Sequence, residues 1–423
     1  MNWRRRLYTA ILYLLSPYVI FHLLWRARRQ PEYLRHWGER FGRYATRSRR
    51  PVIWLHSVSV GETRAAAPLI KALQASYPEH QILLTHMTPT GRETSEQLFG
   101  DSVLRCYLPY DYPFAVRRFL AHFRPQLGLL LETEIWPNLV EACHDAKVPL
   151  CLVNARLSQK SLRRYARLGK LIETSLRQFS RVAAQTGEDA QRLAMLGAQG
   201  IAVTGNLKFD IAPPQSALAL GRALRQGFGP ERRVFLAAST RDGEEERILD
   251  ALQNMAVPGL LAIIVPRHPQ RFDAVAQLLA RRGMRYQRRS AQQLIDAETQ
   301  VLLGDSMGEM FTYYAACDVA FIGGSLLPFG GQNLIEACSM GKPVLLGLHT
   351  FNFADAAEHA VEAGAALRVA DEFELAREAQ KLLLDPALCQ RMGEAGLAFS
   401  RQHQGATGRV MALLQDRLSP YNT

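Results

Sequence analysis

The chain has 423 residues, of which 48% are hydrophobic and 21% charged, so its composition is that of a globular protein with enough material for two domains. Its net charge of +12 is concentrated at one end, because the first fifty residues hold twelve arginines against Glu32 and Glu39 and the rest carries about +2. This concentration argues against nucleic acid as the partner and for a local anionic one. The six cysteines are scattered through apolar segments, so we predict neither a disulfide framework nor a zinc site. No metal and no cofactor are expected elsewhere in the chain.

The first predicted element is an uncharged segment of nineteen residues, 7–25, with arginines at 4–6 on one side and at 26, 28 and 29 on the other. Its length is close to the roughly 20 residues that span a bilayer, although Pro17 and His22 weaken that interpretation. We predict that residues 1–32 are an N-terminal membrane anchor. A helix lying in the membrane interface and an ordinary buried helix are the alternatives.

From about residue 51 onwards, short β-rich segments alternate with segments of helical periodicity, which is typical of βα units around a parallel sheet. The predicted strands are 52–55, 82–85, 103–108, 127–131, 150–153, 181–184 and 201–204, then 234–238, 259–265, 300–303, 319–322 and 343–346. The pattern pauses at Pro213 and Pro214. We therefore predict an α/β protein with two Rossmann-like domains, 33–211 and 232–423, and a linker at 212–231 that contains a helix near 218–226. The C-terminal helices at 386–418 are expected to close the second domain or to pack back on the first. The strand ends of the two domains are expected to face each other across a cleft.

A glycine and a carboxylate lie where the first predicted strand turns into a helix, in HSVSVGE (56–62). Open parallel sheets bind ligands at such corners, and a carboxylate at the end of a strand can abstract a proton. Gly61 lets the backbone approach a substrate, and Glu62 is the candidate base. An acid in the first turn of a helix also stabilises the helix dipole, so this segment alone leaves both interpretations open.

Two further segments of the first half carry polar groups after a strand. THMTPTGR (85–92) ends with Thr90 and Gly91 before a helix, and it is suited to binding an anion or to capping that helix. ETEIWPN (132–138) places Glu132 and Glu134 on one face if the strand continues that far, beside an aromatic ring and a proline. Two carboxylates in this position favour a functional role over a solvated surface.

Two basic residues end the first half. Arg156 of NARLS supplies a planar cation for an acidic group, with structural pairing as the alternative. Lys208 of GNLKFD could meet a carboxylate or phosphate, although a surface lysine is the commoner case.

The second half contains three candidate ligand-binding segments. PRHP (266–269) fixes Arg267 and His268 between two prolines, and GDSMGEM (304–310) offers backbone groups able to read a base edge. FIGGSLLPFGGQNLIEA (321–337) is a glycine-rich loop that opens a helix, where N–H groups can hold a phosphate and an acid one turn inside can bind ribose hydroxyls. Asn333 and Glu336, at i and i+3, are expected to share a face. The glycine order differs from GxGxxG and no P-loop occurs, which disfavours hydride transfer and nucleotide hydrolysis.

In this order HSVSVGE, THMTPTG, ETEIWPN, NARLS, GNLKFD, PRHP, GDSMGEM, GGQNLIEA and HTFNF (349–353) resemble the 3-deoxy-D-manno-octulosonic acid (Kdo) transferases of lipopolysaccharide synthesis. The resemblance covers essentially the whole chain, including the N-terminal anchor. It implies the two-domain GT-B fold and the transfer of Kdo from CMP-Kdo to a sugar hydroxyl of a lipid A precursor, lipid IVA. It also implies a location at the cell inner membrane, with the catalytic domains on the cytoplasmic side.

The resemblance also assigns roles to residues by their position in the motifs. Glu62 is implied as the general base of an inverting, metal-independent displacement, and the oligomeric state and the number of Kdo units are left open. The implied residues are Glu62, Glu132, Glu134 and Lys208 for catalysis; Arg267, His268, Met307, Gly308, Glu309, Asn333, Leu334, Ile335 and Glu336 for CMP; and Ser59, Gly61, Thr90, Gly91 and Arg156 for the acceptor or a phosphate.

Three other functions are compatible with parts of the pattern. A GT-B transferase of cell-envelope synthesis that uses a UDP-sugar is the nearest alternative, and titration with CMP and UDP distinguishes the two. A sugar-nucleotide epimerase shares the architecture but needs no membrane anchor. A non-catalytic lipid-binding module leaves the segment around Glu62 unexplained.

Overall fold

The computed structural model describes residues 3–229 and 231–418, which divide into two compact units. The first unit comprises Met1–Ile211 and Gln404–Thr423, and the second comprises Ala212–His403. Each unit is built around its own parallel sheet, as the alternation of β-rich and helical segments predicts.

The first unit contains a seven-stranded sheet whose order is β3-β2-β1-β4-β5-β6-β7. Its strands are β1 (Val52–His56), β2 (Gln81–His86), β3 (Leu104–Tyr107), β4 (Pro125–Leu131), β5 (Leu150–Ala155), β6 (Arg181–Ala184) and β7 (Ile201–Val203). Its helices up to that point are α1 (Trp3–Leu14), α2 (Ser16–Arg29), α3 (Val60–Ala65), α4 (Ala67–Ser76), α5 (Pro89–Phe99), α6 (Pro113–Phe123), α7 (Pro137–Asp145), α8 (Gln159–Leu168), α9 (Lys170–Arg177) and α10 (Gly187–Met195).

The second unit contains another seven-stranded parallel sheet, in the order β10-β11-β9-β8-β12-β13-β14. The strands are β8 (Val234–Thr240), β9 (Leu261–Pro266), β10 (Tyr286–Arg288), β11 (Val301–Leu303), β12 (Val319–Ile322), β13 (Val344–Leu346) and β14 (Ala366–Arg368). The helices are α11 (Gln215–Phe228), α12 (Glu244–Gln253), α13 (Phe272–Arg281), α14 (Met310–Ala316), α15 (Ile335–Ser339), α16 (Ala354–Glu362), α17 (Glu372–Leu384) and α18 (Pro386–Gln402). The final helix, α19 (Ala406–Leu418), lies in the first unit.

Each sheet has a central switch point from which the chain builds outward to both sides, and this switch point positions the functional segments. In the first unit β1 pairs with β4, and in the second β8 pairs with β12. Because all strands are parallel, the segments that follow paired strands meet at one edge of the sheet, where doubly wound folds bind ligands. Glu62 follows β1 and Glu132 follows β4, so the sheet brings these two carboxylates to the same switch point.

The predicted domain bounds differ from the structure at two places, although a helix near 218–226 and a return of the last helices to the first domain both belong to the expectations. Residues 212–231 are largely the helix α11, which packs on α14 of the second unit, where Thr312 Oγ1 donates to the carbonyl of Ala217 at 3.4 Å. Of the predicted closing helices, α19 packs on the first unit, where Val410 and Leu414 complete its apolar core. Local periodicity predicts these helices but carries no information about the sheet that each one covers.

Two short strands at the edges of the second sheet, β10 and β14, were not predicted. The three residues of β10, Tyr286–Arg288, are polar or half-buried, and β14 is equally short, so neither shows the apolar pattern of a central strand.

The N-terminal helices α1 and α2 expose much of their apolar surface. Every side chain of α1 is at least partly accessible to solvent. The most exposed apolar side chains of the two helices include Trp3 and Leu14 of α1 and Phe21 of α2. Within the described residues no single helix meets the length and hydropathy of a membrane span, whereas Trp3–Leu14 and Ser16–Arg28 meet them together with a bend of 49° between them. The exposure of these apolar side chains argues against the alternative of an ordinary buried helix.

Candidate active site

The Glu62 carboxylate is fixed by its own helix start. Ser59 caps α3 and accepts from the Glu62 backbone N–H, and its hydroxyl donates to Glu62 Oε1 at 2.8 Å. The backbone N–H of Val58 donates to Oε2, also at 2.8 Å. Ser59 and Glu62 bond reciprocally as in a capping box, but the carboxylate reaches the N–H of Val58 instead of that of Ser59. Glu62 therefore stabilises the helix start and also presents a carboxylate at the edge of the sheet, and its role as a base stays a prediction.

The surroundings of Glu62 favour its protonated form. Burial, with the negative charges of Glu132 and Glu134, raises the pKa of Glu62 from 4.5 to about 7, although the hydrogen bonds from Val58 and Ser59 oppose the rise. A base with a pKa near the working pH takes up a proton readily yet remains available in its ionised form.

Glu132 begins a strained turn immediately after β4. Its φ of 57° lies in the left-handed region, which costs a residue with a side chain roughly 1–2 kcal/mol. The expectation that a continuing strand puts Glu132 and Glu134 on one face is wrong, because β4 ends at Leu131 and the chain turns at Glu132. Oε1 of Glu132 instead lies 3.5 Å from Nζ of Lys208.

Glu134 is held by the tryptophan two residues further on. Nε1 of Trp136 donates to its Oε2 at 2.6 Å. Burial raises the pKa of Glu134, the Trp136 hydrogen bond lowers it, and the charge of Glu132 raises it. The four residues predicted to be catalytic, Glu62, Glu132, Glu134 and Lys208, therefore lie in one electrostatically coupled group.

Asn154, which the sequence does not single out, supports the loop that carries Lys208. Asn154 is the fifth residue of β5 and has a φ of 55°. Its Oδ1 accepts from the backbone N–H of Leu207 at 3.0 Å. Asn206 Oδ1 in turn accepts from the Lys208 N–H at 3.0 Å. Asparagine tolerates the left-handed conformation, which is the signal that sequence analysis could have used here.

Two buried histidines, His56 and His86, are the last residues of β1 and β2. Nδ1 of His56 lies 2.9 Å from the Thr85 hydroxyl, and Nδ1 of His86 lies 3.0 Å from the Ser57 carbonyl. Burial lowers the pKa of His56 to about 3 and that of His86 to about 4, so both are neutral at physiological pH. They connect the ends of β1 and β2 without adding positive charge near Glu62.

The residues predicted to bind the acceptor or a phosphate have different surroundings. A Cβ at Gly61 would lie 3.9 Å from Ser59 Oγ, an ordinary contact, whereas one at Gly91 would lie 3.1 Å from Thr88 Oγ1 and 3.5 Å from His86 Nδ1. A side chain at 91 therefore meets a tight contact with Thr88, whereas one at 61 does not. Thr88 caps α5 by accepting from the Gly91 N–H, and Thr90 is exposed at the first turn.

Arg156, the remaining residue of that group, follows the end of β5. Its backbone carbonyl accepts the hydroxyl hydrogen of Thr133, which joins the Arg156 segment to the turn between Glu132 and Glu134. Its position at the same edge of the sheet agrees with the prediction, whereas its role stays a prediction.

In the second unit Glu244 organises the glycine-rich loop, and the sequence did not reveal this residue. Its carboxylate accepts from the backbone N–H groups of Gly324 at 2.5 Å, Leu326 at 3.0 Å and Arg241 at 2.8 Å. Glu244 thus joins the loop after β8 to the loop after β12 at the switch point of the sheet. Burial raises the pKa of Glu244, and these backbone hydrogen bonds oppose the rise.

A cationic group surrounds this loop. Nε of Arg267 donates to Gln332 Oε1 at 3.1 Å, and Arg241 Nη1 lies 3.0 Å from His268 Nε2. The Arg241 guanidinium also lies 4.9 Å from the centre of the Phe329 ring. Burial lowers the pKa of His268, and the charges of Arg241, Arg267 and Arg271 lower it further. Cations beside glycine-exposed N–H groups are suited to a phosphate, and Arg241 and Gln332 join the predicted Arg267 and His268 there.

The other predicted CMP-binding residues fall into two places. Asn333 precedes α15 rather than lying on it, and its amide still reaches Glu336, with Nδ2 donating to Oε1 at 3.1 Å. Glu336 is in the first turn of that helix, not one turn inside, with Leu334 and Ile335 buried beside it. Met307 and Gly308 lie in the loop after β11, and Glu309 forms an ion pair with Arg289 at 3.0 Å.

No group of three or more His, Cys, Asp or Glu side chains suited to a metal ion occurs within residues 3–229 and 231–418.

Comparison with known proteins identifies the family. Residues 35–211 match the model of 3-deoxy-D-manno-octulosonic-acid transferase (kdotransferase), and residues 282–399 match that of glycosyl transferases group 1. The chain is 46% identical to a 3-deoxy-D-manno-octulosonic acid transferase of Bordetella pertussis, over 98% of this chain and 99% of that relative. The chain belongs to the Kdo transferase family. A Haemophilus influenzae member is 38% identical, over 98% of this chain and 99% of its own length.

The resemblance seen in the motifs is thereby confirmed, and this Kdo transferase is a glycosyltransferase. Its fold is similar to that of UDP-GlcNAc 2-epimerase from Neisseria meningitidis, with a TM-score of 0.60, 17% identity and coverage of 86% of this chain and 100% of that one. At this identity the likeness shows the fold alone, and it agrees with the α/β GT-B architecture of two parallel sheets.

Proposed function

We propose that this Kdo transferase moves Kdo from CMP-Kdo to a sugar hydroxyl of a lipid A precursor, lipid IVA, in lipopolysaccharide synthesis. Family membership supports Kdo as the transferred sugar. The observation that carries the mechanism is the Glu62 carboxylate, held at the switch point of the first sheet with a pKa raised to about 7.

The reaction is a single displacement. Glu62 removes the proton of the acceptor hydroxyl, the hydroxyl oxygen forms a bond to the anomeric carbon of Kdo, and the bond from that carbon to the CMP phosphate oxygen breaks with inversion. Glu132 and Glu134 stabilise positive charge on the reacting sugar, as carboxylates do for the oxocarbenium ions of glycoside hydrolysis. Lys208, beside Glu132, orients that carboxylate and balances its charge.

The donor is held in the second unit. The CMP phosphate binds Arg241, Arg267 and His268 beside the loop that Glu244 fixes. Glu336 and Asn333 bind the ribose, and Met307, Gly308 and Glu309 contact the base. Because CMP leaves as a phosphate monoester, Arg241 and Arg267 stabilise the leaving group without a metal ion.

The decisive experiment incubates the protein with CMP-Kdo and lipid IVA and follows the product mass. The wild type and the exposed control Glu96→Gln should add Kdo, and Glu62→Gln should lose about 10²–10⁴-fold of the rate while still binding CMP. Turnover by Glu62→Gln near the wild-type rate would exclude Glu62 as the base. Transfer from a UDP-sugar in place of CMP-Kdo would establish the alternative donor.

We also propose that α1 and α2 attach the protein to the cytoplasmic face of the inner membrane. The exposed apolar side chains of this pair are the membrane-facing surface, and the neighbouring arginines attract anionic lipid. Helix α1 is meanwhile tied to the first unit, since Tyr8 donates to Asp111 at 3.0 Å and Thr9 to Asn138 at 3.0 Å. These contacts favour a helix pair that lies in the interface over one that leaves the unit to span the bilayer.

Flotation with anionic vesicles tests this attachment. Replacing Trp3, Leu14 and Phe21 by serine should reduce the bound fraction, whereas serine at Leu294, which is 85% exposed in the second unit, should not. Equal binding of both variants would contradict a membrane-facing role for α1 and α2.

A further inference from the structure

A cavity of about 930 Å³ lies in the first unit between α1, α6 and α7, and none of the catalytic residues lines it. Its volume is within the range of roughly 300–1,000 Å³ typical of ligand pockets. Ala10 of α1, Leu120 and Ala121 of α6, and Val148 before β5 contribute apolar walls. The cavity is therefore suited to a hydrocarbon chain.

The charged side chains around this cavity are mainly basic. Its charged lining consists of Arg5, Arg6, Arg117 and Arg124 against Glu141 and Asp145. Arg5 forms an ion pair with Glu141. Within the described residues, Arg6, Arg117 and Arg124 form no side-chain hydrogen bond or ion pair, and all three are exposed. Such guanidinium groups at an apolar cavity are complementary to a phosphate attached to an acyl chain.

The cavity extends to the opposite edge of the sheet from the reacting groups. Arg124 immediately precedes β4, whereas Glu132 immediately follows it, and the seven residues of β4 extend roughly 20 Å. The Arg124 end of the cavity is thus separate from the reacting groups. Bulk membrane lipid is the occupant that we infer, because α1 forms one wall of the cavity and carries the exposed apolar side chains.

We propose that this cavity binds one anionic glycerophospholipid, with an acyl chain between α1 and α6 and the phosphate at Arg6, Arg117 and Arg124. This inference rests on the proposed membrane attachment, to which it adds a defined site with a preference for headgroup charge. A lipid held there fixes α1 against α6 and α7, in addition to the hydrogen bonds of Tyr8 and Thr9.

Calorimetric titration of the full-length protein with monomeric dihexanoyl phosphatidylglycerol tests the site, with dihexanoyl phosphatidylcholine as the neutral comparison. The wild type should bind one phosphatidylglycerol per chain, at least about tenfold more tightly than phosphatidylcholine. Arg6→Gln combined with Arg117→Gln should weaken binding roughly 30-fold, since each cation near an anionic lipid contributes comparably. Arg118→Gln, an exposed neighbour that does not line the cavity, is the matched control and should bind as the wild type does.

A second variant, Ala121→Trp, fills the cavity from an exposed helix position and should abolish binding while leaving the melting temperature, vesicle flotation and Kdo transfer intact. Unchanged lipid binding by Ala121→Trp, equal affinity for the two lipids, or an equal loss in Arg118→Gln would overturn the proposal. So would displacement of the phospholipid by lipid IVA at a lower concentration, which would make the cavity an acceptor site. Loss of wild-type flotation alone would count against the membrane attachment and not against this site.

Discussion

Nζ of Lys208 lies 3.5 Å from Oε1 of Glu132, and the charge of that carboxylate in turn raises the pKa of Glu62. The carboxylate of Glu132 therefore attracts the ammonium group of Lys208 and repels the ionised carboxylate of Glu62. The proposed base is controlled by this small electrostatic group as well as by burial.

Glu132→Gln should shift the ascending limb of the pH profile of kcat/KM below its wild-type midpoint near 7. The negative charge that disfavours ionised Glu62 is removed, whereas burial still holds the pKa above 4.5. The measurement is the rate of Kdo transfer across the pH range at subsaturating acceptor. Glu96→Gln should leave the midpoint in place. A midpoint that stays or rises in Glu132→Gln would show that Glu62 does not sense Glu132.

Lys208→Met should shift the same midpoint upward, in the opposite direction, because the negative charge of Glu132 then acts on Glu62 without the nearby cation. The ion pair is partly exposed, with 35% of the Glu132 side chain accessible, so the free energy of unfolding should change by no more than about 1 kcal/mol. A pH profile and a urea titration of the same preparation separate the two effects. A large loss of stability with an unmoved midpoint would assign Lys208 a structural role.

The stability of Glu62→Gln should exceed that of the wild type above neutral pH. The raised pKa means that the folded state binds a proton more tightly than the unfolded state, so wild-type stability falls as the pH rises from about 4.5 to about 7. A shift of this size corresponds to at most about 3 kcal/mol, and the glutamine variant does not incur it. Urea unfolding at pH about 4 and about 8 measures the difference, and a wild type that gains stability over this interval relative to the variant would contradict it.

Gly61→Ala should leave the melting temperature unchanged or slightly raised and reduce Kdo transfer. The added methyl group meets only an ordinary contact with Ser59, and alanine is the better helix former, whereas a substrate approaching Glu62 loses space. Gly91→Ala is the useful comparison, since its methyl group would lie 3.1 Å from the Thr88 hydroxyl that caps α5 and should lower stability. Full activity in Gly61→Ala would mean that the acceptor does not pass this backbone.

Glu244→Ala should lower the stability of the second unit by roughly 3 kcal/mol and weaken CMP binding. It leaves the N–H groups of Arg241, Gly324 and Leu326 without their acceptor and frees the glycine-rich loop. Glu246→Ala, exposed on the same helix turn, is the matched control. Calorimetry with CMP and thermal unfolding report the two effects. CMP affinity equal to that of the wild type would show that the loop is held by other contacts.

The sequence predicted the arrangement of the two sheets because central parallel strands are continuous apolar segments. β1 and β12 are buried at every residue, and the chemistry-bearing loops follow such strands directly. The edge strands β10 and β14 escaped prediction because a strand paired on one side only needs no such segment. Glu62 and Glu132 lie together because of the strand order, which local periodicity does not determine. The motif resemblance predicted that both belong to the catalytic site.

Other features of the site depend on contacts that no local pattern shows. The positive φ of Glu132 and of Ser239 is imposed by the surrounding fold, since neither residue favours the left-handed region. The role of Glu244 depends on loop residues about 80 positions further along the chain. In the sequence, a glutamate in the first turn of a helix is interpreted as a helix cap. Only the folded structure shows that three backbone N–H groups donate to Glu244.

The return of α19 to the first unit affects the order of folding during synthesis. Ala406, Val410 and Leu414 pack in the same apolar cluster as Ile53, Leu55 and Ile70, and Asp210 accepts from the backbone N–H groups of Gly405 and Thr407 at 2.7 and 2.5 Å. A ribosome must therefore finish the entire second unit before the core around β1 is complete. Until then the growing chain exposes a strip of apolar surface on its first unit, in which the proposed base already lies, and this makes the nascent protein a candidate for chaperone binding.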